Sequence, residues 1–148
     1  MNHSTLTLAS ARNRLAALWL ITAAFLVLLM IAKSLFGAFD VDDTAAGVTE
    51  AWAWFMPAVM PTLALIIGSL TLDVGKSERK TSVLFPFRVA FWISVFYLGL
   101  LLLALVFIPA SDAKGPMYAL TTSNIWLGPI QGLVAASLGW FFMAKDKT

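Results

Sequence analysis

The sequence predicts an all-α integral membrane protein: four transmembrane helices in an antiparallel bundle, further readable as two repeated helical hairpins. Three observations carry that prediction. Hydrophobic residues make up 60% of the chain and charged residues only 12%, against about 25% charged in ordinary soluble domains. The apolar residues gather in four blocks, at about 15–36, 52–72, 89–108 and 124–144, and roughly 20 apolar residues let a helix cross a hydrocarbon core of about 30 Å. The basic residues collect at alternate block ends. Four spans use most of the 148 residues, which predicts a single membrane domain and no soluble one.

The first block follows Arg12 and Arg14 and is interrupted only by Thr22 and the pair Lys33-Ser34. A basic flank before an apolar run also describes a secretory leader. This run exceeds the usual apolar region of about 7–15 residues, and no convincing small-x-small cleavage site follows, so it is read as the first span. Lys33, near its far end, reads as a side chain that snorkels to the interface. Residues 39–50 then form an acidic connection with Asp40, Asp42, Asp43 and Glu50. They do not match the twelve-residue calcium loop with its central glycine and closing glutamate, so a solvated connection is expected.

The second block opens with Trp52 and Trp54 and carries Pro57 and Pro61 one turn apart. Proline has no N–H, so Pro57 deprives the carbonyl of Ala53 of its helical donor and Pro61 does the same to Pro57. In hydrocarbon those oxygens need partners from neighbouring helices or water. The loop that follows, 73–88, is the most basic part of the chain, with Lys76, Arg79, Lys80 and Arg88. The third block is almost purely aliphatic and aromatic; Ser94, Tyr97 and Gly99 are its exceptions. A connection over 110–123 with the turn pair Gly115-Pro116 leads to the fourth block, with Ser123 or Asn124 as its N-cap.

Four spans place Arg12, Arg14, Lys76, Arg79, Lys80, Arg88, Lys145 and Lys147 on one side and only Lys33 and Lys114 on the other. The positive-inside rule then puts both termini and the middle loop in the cytoplasm, as in a multi-pass protein of a bacterial inner membrane. The halves also align at an offset of about 73 residues: Arg14 and Trp19 with Arg88 and Trp92, and Trp54-Phe55-Met56-Pro57 with Trp126-Leu127-Gly128-Pro129. Each half goes across and back, so such a repeat is parallel, related by an axis along the membrane normal.

Chemistry-bearing residues are few. The chain has no cysteine and one histidine, which removes thiolate chemistry and leaves no set of zinc or haem ligands; no cofactor, metal site or catalytic group is expected. No acidic residue or histidine lies deep in a span, against a proton-driven transporter. The basic residues are explained by topology and anionic lipid, so no nucleic acid binding is expected. Gln131 is the one strongly polar side chain well inside a block, at about the depth of Pro57. It reads either as an interhelical donor to the proline-freed carbonyls or, with Pro57 and Pro61, as the lining of a pore or polar cavity. Gly128, Gly132, Ala136 and Gly139 form a small-residue stripe suited to close helix packing. Trp52, Trp54, Trp126 and Tyr118 are expected as anchors at the outer interface, and Trp19, Trp92 and Trp140 in the inner leaflet. Lys76, Arg79, Lys80 and Arg88, beside the apolar Val83-Leu84-Phe85, are candidates for contact with anionic lipid or a cytoplasmic protein.

Three functional readings follow. The first is a non-enzymatic, homo-oligomeric membrane subunit that acts as sensor, anchor or effector with a cytoplasmic partner. The second is a small homo-oligomeric channel or pore with a polar site near Pro57, Pro61 and Gln131. The third, disfavoured by the missing histidines and cysteines, is a membrane enzyme or redox subunit.

Overall fold

The computed structural model describes residues 8–39, 46–72, 84–107 and 115–143. They form α1 (Leu8–Leu35), α2 (Ala46–Leu72), α3 (Leu84–Val106) and α4 (Gly115–Met143), with no strand among them. The shortest, α3, has 23 residues, or about 34 Å at 1.5 Å per residue. All four are long and apolar enough to cross a membrane. They are apolar on outward faces as well as inward ones: Ile21, Leu28, Phe96, Ile125 and Leu133 are exposed, the pattern of helices surrounded by hydrocarbon rather than water.

Each helix starts earlier than its apolar block. The difference is largest for α4, where Ser123 and Asn124 were expected to cap the start but lie two turns inside it. Gly115-Pro116 begins the helix instead of preceding it, because proline is tolerated where backbone N–H groups have no helical acceptor. Pro86 likewise sits in the first turn of α3. The end of α1 is set by Gly37, whose φ of 69° is readily adopted only without a side chain. It lets the Ala38 N–H reach back to the Lys33 carbonyl at 3.0 Å, closing the last turn.

Named contacts fix the direction of each helix. Trp52 Nε1, near the start of α2, donates to Ser34 Oγ at the end of α1 (3.2 Å). Phe87, at the start of α3, packs on Phe141, at the end of α4. The pairs Trp54–Ser123 and Pro57–Gln131 advance together along α2 and α4. Thus α1/α2 and α3/α4 are antiparallel hairpins, while α2 runs parallel to α4. The neighbours are α1 with α2 and α3, and α4 with α2 and α3, giving the order α1–α2–α4–α3 around the bundle.

That order corrects one expectation. Sequential helices were expected to pack side by side, but α2 and α3 lie across the diagonal. The connection between them, 73–83, is about eleven residues, ample to cross a bundle at up to about 3.5 Å per residue. The repeat geometry changes too. An axis through the bundle centre relates diagonal helices, whereas the matching helices α1/α3 and α2/α4 are neighbours, so the hairpins are related by a sideways shift. The matched tryptophans differ as well: Trp19 is fully buried and Trp92 is 66% exposed.

The core takes Leu15, Trp19, Leu26 and Met30 from α1, Phe55, Val59 and Ile66 from α2, Tyr97, Leu101 and Leu105 from α3, and Leu120, Leu127, Val134 and Leu138 from α4. Trp19 and Trp54 therefore belong to the interior and are not interface anchors. Trp92, Trp126, Trp140 and Tyr118 are exposed on the bundle surface and Trp52 is half-buried.

Candidate functional site

The proline turn of α2 is held from two sides. Gln131 Nε2 on α4 donates to the carbonyl of Pro57 at 2.7 Å, the oxygen that Pro61 leaves without a helical donor. The same nitrogen approaches the Ala58 carbonyl at 3.4 Å, which also accepts the Tyr97 hydroxyl of α3 at 2.9 Å. The bond lies on the outward side of the helix pair, where hydrocarbon offers the oxygen no other donor, so Gln131 stabilises a helix that carries two prolines through its middle.

One turn toward the start of α2, Trp54 Nε1 donates to Ser123 Oγ at 3.2 Å, and that hydroxyl donates to the Leu120 carbonyl at 2.6 Å. These two bonds set the register of α2 on α4. Between the helices lies a cleft of about 260 Å³ lined by Ala53, Pro57, Asn124, Gly128 and Gln131, with Trp54 behind them. It opens outward, since Ala53, Pro57, Asn124 and Gly128 are exposed. Its polar groups are two amides, Asn124 and Gln131, seven residues apart on one face of α4, together with backbone oxygens of α2. No charged side chain lines it, so what it can do chemically is exchange hydrogen bonds with neutral groups.

Pro61 faces outward one turn further along α2. The small-residue stripe of α4 also points outward: Gly128, Gly132 and Ala136 are exposed and Gly139 is half-buried. A Cβ placed on any of the three glycines meets nothing within 4 Å, with Gly128 at the border of the α2–α4 cleft. Of the basic candidates, Arg88 is exposed in the first turn of α3. Lys76, Arg79 and Lys80 lie outside the described residues, as do Asp40, Asp42 and Asp43. Among the described residues no three His, Cys, Asp or Glu side chains gather.

Neither a protein family, nor a curated protein, nor a solved structure matches this chain.

Sequence reasoning gave two residues too small a role. Tyr97 is noticed there only as an exception in an aliphatic block, yet it is fully buried and spans to α2. Ser94, three residues before it on the same face, is buried too; that spacing is the available signal. Arg12, assigned only to topology, donates from Nη2 to the Phe142 carbonyl at 2.9 Å. It thereby caps the end of α4, where a cation is favoured by the helix dipole.

Proposed function

We propose that this chain is a non-enzymatic integral membrane subunit. It crosses a bacterial inner membrane four times, keeps both termini in the cytoplasm, and acts as an oligomeric sensor, anchor or effector with a cytoplasmic protein. The outward stripe Gly128, Gly132 and Ala136 on α4 carries this reading. In lipid there is little hydrophobic drive between helices, so association relies on close backbone approach, which small residues allow. The four apolar helices support the membrane setting. The test is oligomeric state in mild detergent, read by light scattering, together with recovery of cytoplasmic proteins. The native chain is expected to be oligomeric, and Gly132→Leu, at an exposed position where an added Cβ meets nothing within 4 Å, is expected to be monomeric and folded. A native monomer that recovers no partner overturns the reading.

A second reading is favoured by the bond from Gln131 to Pro57 beside an open polar cleft. Here the oligomer is a small pore for neutral solutes, with Pro57, Pro61 and Gln131 at its polar site. Water is the probe: proteoliposomes under an osmotic step are expected to shrink faster than empty liposomes, and Gln131→Leu is expected to keep the assembly and lose the added permeability. Unchanged permeability in that variant overturns the pore.

A further inference from the structure

Three enclosed polar atoms in the bundle centre have no hydrogen-bonding partner: Trp19 Nε1, Thr62 Oγ1 and Ser94 Oγ. Their residues are 0%, 2% and 0% exposed and come from three different helices. Each lies beside Tyr97 or about one helical turn from it or from its partner Ala58. The Trp19 ring stacks on Tyr97 with centroids 6.1 Å apart. Ser94 lies one turn before it on the same face of α3. The Tyr97 hydroxyl reaches Ala58, and Thr62 follows Ala58 by one turn of α2.

Each such atom left bare costs about 1–3 kcal/mol, and buried polar groups lacking protein partners are characteristically served by internal water making about three hydrogen bonds. This layer of three atoms in neighbouring turns represents hydrogen bonds that the described residues leave unmade. It also has an approach. The Ala58 carbonyl accepts from Tyr97 on the core side and is approached by Gln131 from the cleft side, so it stands between the open cleft and the layer. The next turn in the other direction is closed: Leu15 precedes Trp19, Ile66 follows Thr62 and Ala90 precedes Ser94, all apolar and at most 1% exposed.

We propose that Trp19, Thr62, Ser94 and Tyr97 enclose a hydrated site, reached through the α2–α4 cleft past Gln131, that takes small uncharged hydrogen-bonding molecules. The ligand class follows from the lining. Indole and amide N–H groups, hydroxyls and carbonyls offer both donors and acceptors but no charge, and an ion stripped of its water finds no counter-charge there. The inference deepens the cavity reading above and rests on it for the entrance.

The chain contains no cysteine, so single-cysteine variants need no prior substitutions. Ser94→Cys and Thr62→Cys in the full chain, in lipid nanodiscs, are treated with methyl methanethiosulfonate, which is small and uncharged and reacts with the thiolate. Because a thiolate forms only where water reaches, both are expected to react at least about tenfold faster than Ile66→Cys in the closed layer. Adding Gly128→Leu, at a cleft-lining position where an added Cβ meets nothing within 4 Å, is expected to obstruct the cleft and slow both to the Ile66→Cys rate. The trimethylammonium analogue of the reagent is expected to leave both unlabelled. Rates equal to that of Ile66→Cys overturn the hydrated site, unaltered rates with Gly128→Leu overturn the entrance, and labelling by the cationic reagent overturns the ligand class. Should a cysteine variant not fold, exchange of the Trp19 indole N–H into D2O in the unmodified chain decides the first point: exchange ahead of neighbouring backbone amides supports the site, and exchange behind them overturns it. Fast labelling without added water permeability leaves the site standing and removes the pore; permeability without labelling does the reverse.

Discussion

Replacing Trp19 with alanine is expected to remove about 3 kcal/mol or more of bundle stability, the usual scale for deleting a large buried aromatic side chain. The side chain is fully buried and stacked on Tyr97. In a bilayer the loss does not come from exposing apolar surface to water, because the surrounding lipid is as apolar as the side chain. It comes from the contacts that a void cannot replace. Tyr97 also loses the ring that aligns its hydroxyl with Ala58. Trp92→Ala, at a position 66% exposed, is the comparison and is expected to change stability by less than about 1 kcal/mol. Unfolding in mixed micelles of increasing dodecyl sulfate fraction measures both, and equal shifts contradict the assignment of Trp19 to the core.

The second large effect is expected at Arg12. Its guanidinium donates to the Phe142 carbonyl and stands 6.0 Å from the centre of the Phe142 ring. A hydrogen bond from a charged donor contributes about 1.5–3 kcal/mol, and a cation at a helix end and over an aromatic face adds to it. Arg12→Ala is expected to lose about 2 kcal/mol on that scale, with faster amide exchange concentrated in the last turns of α4. Arg12→Lys keeps the charge without the planar fork and is expected to fall between. Arg14→Ala, two residues along and exposed, is expected to change little. Equal behaviour of the two alanine variants removes the cap.

The four helices were legible because hydrocarbon thickness demands long apolar runs, and nothing subtler than counting is needed to find them. The partnership of Gln131 with the proline turn was legible for a related reason: Pro61 removes a donor at a known depth, and the fourth block offers one amide at that depth. Helix faces were not legible. Where a helix is apolar all round, its sequence carries no stripe to separate inside from outside, so Trp19 and Trp92 look alike in sequence and have opposite surroundings. The diagonal placement of α2 and α3 depends on side-chain fit between residues far apart in the chain, which no local pattern encodes. Starts of helices were set too late because apolar blocks mark the crossing segment, while the helix continues into its polar flanks until a breaker intervenes. For the stripe on α4, spacing revealed a surface made for close approach, but not that a side chain at its glycines would meet no described neighbour within 4 Å of its Cβ.

The sideways shift between the two hairpins bears on how copies of this chain can meet. A two-fold rotation pairs like surfaces and uses them up. A shift does not: it leaves the bundle with one free flank belonging to α1 and α2 and another, unlike it, belonging to α3 and α4. Copies that set the α1/α2 flank of one chain against the α3/α4 flank of the next would be related head to tail. Such an assembly closes only if successive copies turn by an even fraction of a circle, and rings with odd numbers of members are then as natural to it as rings with even numbers.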